Sequence, residues 1–420
     1  MKTLTRVQIE NIFKSRVNSL LFLYALLVGS CSTQPHEGSI NLRQDNPIPL
    51  AEMFSDVRLV TLETTSESLI SDIRQIAYHE SRFYILDSRQ QMIFCFDEKG
   101  RFIFRIAAQG NGPGEYNYLT DINVDAEKGQ LMLLDPAVAR VHYYDLDGNF
   151  LQTVRIITDK VMGLNRTFAI NDSILLITSI TYEQLVFYNL NQAQVDTAYY
   201  SWDVQSTLEG FTPMWNVYQL EGRTFVLPGL SQEMKDVSDI RPLPYFTWCF
   251  GPDNNSEEQI SRLLHEIRAL EPMSGRLMHP MQGVGPGKIL NHHIMGVSET
   301  PRFRIALVEH NNQLKHVVID KKEEKTHVFH TFKEGVVLPG SFYLKHDFAI
   351  DFYPGMHHNP VSEERRERFK SYYPGFPDEL FDRQSSSFKP EILSDADQKI
   401  ISNHDEMDEN PMLIVYRFRE

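Results

Sequence analysis

The chain has 420 residues, 42% hydrophobic and 23% charged, an ordinary globular balance with length enough for a large core. Lys and Arg total 41 against 56 Asp and Glu, a formal net charge of −15. No basic patch offsets that charge, which argues against a nucleic-acid partner, because phosphate backbones are held by clustered cations.

Lys2, Arg6, Lys14 and Arg16, against Glu10, make a basic leader, and the apolar run Leu20–Val28 follows it. That run is too short to cross a bilayer as a helix, which takes ~20 residues. It has the form of a signal-peptide core. Val28-Gly29-Ser30-Cys31 then sets small residues before a cysteine and resembles the lipobox of bacterial lipoproteins. The resemblance implies cleavage before Cys31 and acylation of its amine and thiol. The expected organisation is a signal peptide over 1–30, a polar tether over 31–48 and one folded domain over 49–420. The two remaining cysteines, Cys95 and Cys249, lie in apolar runs and read as buried thiols.

From residue 83 short β-rich runs alternate with turn residues. Phe83–Ile106 aligns with Leu131–Val154 without a gap: Asp87 falls on Asp135, Asp97 on Asp145, Gly100 on Gly148 and Phe102 on Phe150, each offset being 48. A fixed period of this size marks a repeat architecture whose unit is a small antiparallel sheet. In Asp97-Glu98-Lys99-Gly100 and Asp145-Leu146-Asp147-Gly148, Asp stands first and Gly fourth. Asp can accept a backbone N–H there, and Gly can take the positive φ that closes a hairpin. A calcium loop would need further spaced oxygen ligands, and none follows Gly148.

Later copies decay. Gln184–Val195 keeps strand, turn and strand with Asn189 in place of Asp, and strands are expected in Asn216–Pro228, Tyr245–Asn254, Phe303–Phe332, Phe342–Pro354 and the terminal Asn410–Glu420. Two insertions break the β pattern. Near 256–272, Ile260, Leu263, Leu264, Ile267 and Leu270 recur at helical spacing behind a Ser256 cap and ahead of Pro272. This is a helix packed outside a sheet or, alternatively, a lid or a partner-binding helix. Helical patches near 362–370 and 394–403 mark the other insertion, over 361–409.

Gln109–Tyr116, with Gly110, Gly112 and Gly114, raises the question of a phosphate loop. A dinucleotide fingerprint needs glycine where Glu115 stands and a helix afterwards, and a Walker loop needs Lys-Ser/Thr. Neither is present, and the run after Tyr116 reads as a strand, so no nucleotide is expected. The loop falls between two repeats and reads as a tight connector from one blade to the next. Gln282–Ile289 repeats the Q-G-x-G-P-G pattern.

Val60–Ile76, Tyr84–Ile103, Gln109–Tyr116 and Tyr144–Leu151, with the close Asp405–Phe418, together resemble the six-bladed β-propeller lipoproteins of Bacteroidetes, distantly NHL-repeat-like. The resemblance implies an all-β chain: six four-stranded antiparallel blades in one propeller with small helical insertions. It implies that Val57–Leu62 pairs with the C-terminal strands to close the ring. It supplies no agreed activity. The chain is expected to be a monomer in the cell envelope, on the outer membrane. Facing is undecided, because the first acid after Cys31 is Glu37.

No G-x-S-x-G, H-E-x-x-H or C-x-x-C occurs. His292-His293 and His357-His358 are adjacent, and neighbours on a strand point to opposite faces. Recurrence gives Asp87 and Asp135 a structural duty in each blade. Trp202 and Trp215 could stack on sugar rings or belong to the core. The expectation is a lipid-anchored binding or scaffold module for a glycan, peptide or protein partner. No catalytic, cofactor or metal residue is assigned. The alternative is a metal-assisted lyase or hydrolase with a divalent cation in the central channel. A sensor passing a binding event to a membrane partner is a third class.

Overall fold

The computed structural model describes residues 38–157, 161–182, 185–199, 217–228, 231–270, 289–311, 313–338, 343–345, 348–353, 389–405 and 408–420. Six sheets of four antiparallel strands are built from these residues. Five are formed by consecutive strands. Blade 1 holds β2 (Ile73–His79), β3 (Arg82–Asp87), β4 (Met92–Asp97) and β5 (Phe102–Ile106). Blade 2 holds β6 (Asp121–Asp125), β7 (Gln130–Asp135), β8 (Arg140–Asp145) and β9 (Phe150–Arg155). Blade 3 holds β10 (Val161–Ala169), β11 (Ile174–Tyr182), β12 (Leu185–Asn189) and β13 (Gln194–Tyr199). In blade 4 the strands are β14 (Val217–Leu220), β15 (Arg223–Val226), β16 (Glu233–Asp236) and β17 (Leu243–Thr247). Blade 5 is β18 (His292–Glu299), β19 (Phe303–His310), β20 (Gln313–Asp320) and β21 (Lys325–Phe329).

The sixth blade closes the ring. β22 (Tyr343–Lys345), β23 (Phe348–Tyr353) and β24 (Met412–Phe418) come from the C-terminal part, and β1 (Phe54–Thr61) joins them from the N-terminal part. Leu59 faces Ile414 and Val57 faces Tyr416 in that pairing. Closure gives β24 a partner on each side and removes the open seam that an unclosed array would expose. First strands touch across blade boundaries (β22 with β2, β2 with β6, β6 with β10, β14 with β18), so they are the inner strands. The fold is therefore an all-β six-bladed propeller.

Alternation explains how blades stack. On β3, Phe83 and Ile85 pack with Leu413 and Val415 of blade 6, while Tyr84 and Leu86 pack with Leu131 and Leu133 of blade 2. Successive side chains on a strand point to opposite faces, so one buried strand serves two cores. The same scheme joins blades 2 and 3 through Leu134 and Leu175, and blades 3 and 4 through Phe168 and Val226. Each fully buried Leu or Phe contributes ~1.5–3 kcal/mol.

The helix Glu257–Leu270 begins as its sequence predicts. Ser256 Oγ accepts the Gln259 N–H at 3.2 Å, and Gln259 Oε1 accepts the Ser256 N–H at 2.9 Å, a reciprocal capping box. Leu263 is buried. Asp395–Ser402 is also helical, capped by Ser394. Two expectations are corrected. The run after Tyr116 becomes strand only at Asp121, because Asn117 and Tyr118 give their N–H groups to Asp135 rather than to a neighbouring strand. Cys249 is not a free thiol: it is disulfide-bonded, whereas Cys95 is free and buried. Cys31, Trp202, Trp215, His357-His358, residues 362–370 and the glycines of Gln282–Ile289 lie outside the described residues. No described helix is long and apolar enough to cross a membrane.

Contacts divide the chain into two compact units. The larger, Leu42–Trp248 with Asn255–Glu420, holds the six sheets. In the smaller, Ile40 donates its N–H to the Cys249 carbonyl at 2.8 Å beside a short 3-10 turn, Gly251–Asp253.

Candidate functional site

The glycine loop closes on its own carboxylate. Gln109 and Tyr116 form an isolated bridge, and Glu115 Oε2 accepts the Gly112 N–H at 2.6 Å. A Cβ at Gly110 would lie 2.1 Å from that oxygen. The carboxylate occupies the space where a phosphate loop would place its anion, so the loop serves the chain itself. Tyr116 fixes the other end by donating to the carbonyls of Gln91 at 2.9 Å and Ile106 at 3.1 Å. Gly114 lies against the Phe150 ring.

The recurring acids do backbone work. Asp97 Oδ1 accepts from Lys99 N and Arg101 N, each at 2.9 Å, and Asp145 Oδ1 accepts from Asp147 N at 3.0 Å and Asn149 N at 2.8 Å. Burial alone would raise both carboxyls, but these hydrogen bonds, together with those from the Asn149 and Arg101 side chains, outweigh it and hold them below the usual carboxylate range. Gly100 (φ +80°) and Gly148 (φ +85°) close the two turns. Asp87 and Asp135, both fully buried, tie each blade to the segment entering it: Asp87 Oδ2 accepts Ser71 N and Asp135 Oδ2 accepts Asn117 N, both at 2.6 Å.

Polar side chains on the inner strands join blade to blade. Gln75 donates to the Ile122 carbonyl at 2.8 Å and accepts the Ile122 N–H at 3.2 Å. Arg74 Nε donates to the Thr120 carbonyl at 2.9 Å. From blade 2, Asp121 accepts Thr167 N at 2.9 Å and pairs with Arg166 at 3.3 Å, while Asn123 donates to the Thr167 carbonyl at 2.9 Å. Gln219 of blade 4 reaches the Ala169 carbonyl at 2.8 Å. Neither composition nor the repeat signalled these residues.

Blades 4 and 5 share the densest described group of perturbed side chains. Glu299, at the end of β18 and 3% exposed, accepts from Tyr218 at 2.8 Å, Tyr245 at 3.1 Å and Lys321 at 2.7 Å, and from Arg304 at 3.0 and 3.1 Å. Burial alone would raise its carboxyl, but Arg304 and Lys321 outweigh burial and hold it below the usual range. Burial, then the Glu299 charge, pushes the Tyr218 phenol far up. The guanidiniums of Arg223 and Arg304 lie 5.4 and 5.2 Å from the Tyr245 ring, and Arg304 lies 3.9 Å from Phe246. Arg223 also pairs with Asp236, and its side chain is 51% exposed.

The arrangement can hold charge and present a rigid cationic edge. It offers little to proton transfer, because both Glu299 oxygens are engaged and the carboxylate is kept ionised. Among the described residues no three His, Cys, Asp or Glu side chains gather as a metal site. His292 and His293 lie on β18 opposite His310 and Glu309. Burial raises the free Cys95 thiol to about 12, so it is not a ready nucleophile.

Residues 38–417 match the family described as a domain of unknown function, DUF4934. The chain belongs to the DUF4934 family. Among solved structures, this DUF4934 chain is similar to a presumed exported protein of Bacteroides fragilis, with 17% identity, 91% of this chain and 99% of that one covered, and a TM-score of 0.63. That likeness shows the fold. Weaker likenesses are to a member of the duf4221 family from Bacteroides vulgatus (10% identity, 68% and 88% covered, TM-score 0.42) and to PorZ, a surface component of the type-IX secretion system of Porphyromonas gingivalis (8%, 64% and 29%, TM-score 0.36). No curated protein matches the DUF4934 chain.

Proposed function

We propose that this DUF4934 protein is a lipid-anchored envelope propeller that binds a glycan, peptide or protein partner through a rigid face, without catalysis. Cys31 carries the anchor, and the leader and lipobox support that address, as does the exported description of the B. fragilis protein of like fold. The observation that carries the binding role is the cluster around Glu299. Its carboxylate is locked by Arg304, Lys321, Tyr218 and Tyr245, and Arg223 is held half-exposed beside it. Side chains fixed in advance lose little entropy on binding.

The test is thermal unfolding of residues 32–420 against a panel of oligosaccharides, acidic peptides and divalent cations. A ligand specific to the folded state adds ~2.7 kcal/mol at a hundredfold excess over its dissociation constant. A rise with a glycan or peptide that Arg223→Ala abolishes supports the proposal. A rise only with a cation, reversed by chelator, supports the channel enzyme instead and overturns it.

A further inference from the structure

Blade 2 departs from blade 1 at one buried point. In blade 1, Asp87 Oδ1 accepts Arg89 N at 2.9 Å and Gln90 N at 2.8 Å, and Oδ2 accepts Ser71 N and the Gln90 side chain. In blade 2, Pro136-Ala137-Val138 replaces Ser88-Arg89-Gln90. Asp135 Oδ2 keeps its contacts to Asn117 and Tyr118, but Oδ1 is buried with no hydrogen-bond partner.

Two more such atoms lie on the same face. His142 stands where blade 1 has Phe94, opposite Leu133 and two positions along from Asp135, so it shares the face of Asp135. It is fully buried, the Asp135 charge acts on it, and its Nε2 has no partner. Thr120 donates its N–H to the Leu134 carbonyl just before β6, which continues the register to bring it opposite Asp135, and its Oγ1 is also unpartnered. The Tyr116 ring stands edge-on to His142 at 6.2 Å.

We propose that Thr120, Asp135 and His142 enclose one buried water molecule that joins the carboxylate to the imidazole. A buried polar atom without a partner is costly, and three on one face make a polar site with the two to four partners a water needs. His142 Nδ1 lies 2.9 Å from Thr153 Oγ1. If Nδ1 donates to Thr153, Nε2 is an acceptor, and the water donates to it and to Asp135. If Thr153 donates, Nε2–H gives to the water, which donates on to Asp135. Water fits both tautomers. A metal ion fits only the first, and a dication beside one carboxylate would leave net charge buried. The water completes what Arg89 and Gln90 do in blade 1 and pins Asp135, which holds the connector between the blades.

A crystal structure of the protein at a resolution that shows ordered solvent tests this. The expected result is one solvent peak within hydrogen-bonding distance, ~2.7–3.2 Å, of Asp135 Oδ1 and His142 Nε2. A direct hydrogen bond between Asp135 and His142 with no third atom overturns the proposal. So does a peak with anomalous signal at ~2.0–2.2 Å from the imidazole, which would be a metal ion.

Discussion

Asp121 accepts the Thr167 backbone N–H at 2.9 Å across the boundary between blades 2 and 3. The carboxylate is 1% exposed and also meets Arg166 at 3.3 Å, so one side chain satisfies a backbone donor and a cation of the next blade. Removing it strands the buried Thr167 N–H with little water to replace it, while Arg166, whose side chain is 19% exposed, keeps its place over the Phe168 ring. Asp121→Ala is expected to destabilise the protein by ~1–3 kcal/mol, and Asp121→Asn, which keeps an acceptor, by less. Denaturant unfolding reads the difference, and a loss below ~1 kcal/mol for the alanine variant would refute a bridging role.

Glycine substitutions separate backbone strain from collision. Gly222 (φ +72°) has nothing within 4 Å of an added Cβ, so Gly222→Ala should cost only the left-handed conformation, ~1–2 kcal/mol. At Gly100 (φ +80°) the Cβ would fall 1.9 Å from the Thr61 carbonyl oxygen of β1. That atom is backbone in the closing strand and cannot rotate aside. Gly100→Ala should therefore lower the unfolding midpoint clearly more than Gly222→Ala, and equal shifts would contradict the packing of this turn on β1.

Two histidines set an acid sensitivity. Burial holds His293 and His316 at about 4, below the ordinary 6.5. Their folded pKa values are depressed, so the unfolded chain takes up protons first as pH falls. Stability is full above about 6.5 and is lost between there and about 4. Two such groups give a slope of up to ~2.7 kcal/mol per pH unit in that window. Replacing His316, whose ring stacks on Phe329 at 5.1 Å, by Phe should flatten the slope by about half of that figure. An unchanged slope would show that His316 is not held neutral by burial.

The cysteines give the anchor a chemical test. The chain has three, Cys95 is free and Cys249 is disulfide-bonded. A thioether at Cys31 takes that thiol out of disulfide chemistry, so in the acylated chain Cys249 is a thiol. Mass spectrometry of the protein from its own membrane reads which state is made. The proposed anchor requires a diacylglyceryl group on Cys31 and with it a Cys249 open to alkylation, unlike the disulfide-bonded Cys249 of the unacylated chain described above; an intrachain disulfide at Cys249 in the membrane-derived protein would refute the lipid anchor.

What the sequence revealed follows from distance along the chain. The 48-residue offset from Asp87 to Asp135, and the turns at Asp97–Gly100 and Asp145–Gly148, are local patterns that exposed blades 1 and 2. The C-terminal strand signalled closure by its likeness to a family ending. The Glu299 cluster draws on Tyr218, Tyr245, Arg304 and Lys321, and the Gln75 and Asp121 bridges span more than forty residues each. Arg304 faces Glu299 across the β18–β19 hairpin, but Tyr218 and Tyr245 reach it from blade 4, and these contacts, like the Gln75 and Asp121 bridges, carry no spacing rule because the ring and not a strand or turn makes their proximity. The glycine loop was legible as a connector, but the Glu115 carboxylate inside it was not.

Ring closure by β1 completes the propeller, and hydrogen exchange measures it directly. The β1 amides that pair with β24, such as those facing Val415 and Leu413 from Arg58 and Val60, should exchange only on global unfolding, as slowly as the β3 and β7 amides. Exchange of β1 at the rate of a fraying terminus, while β3 and β7 stay protected, would contradict a ring closed by this strand.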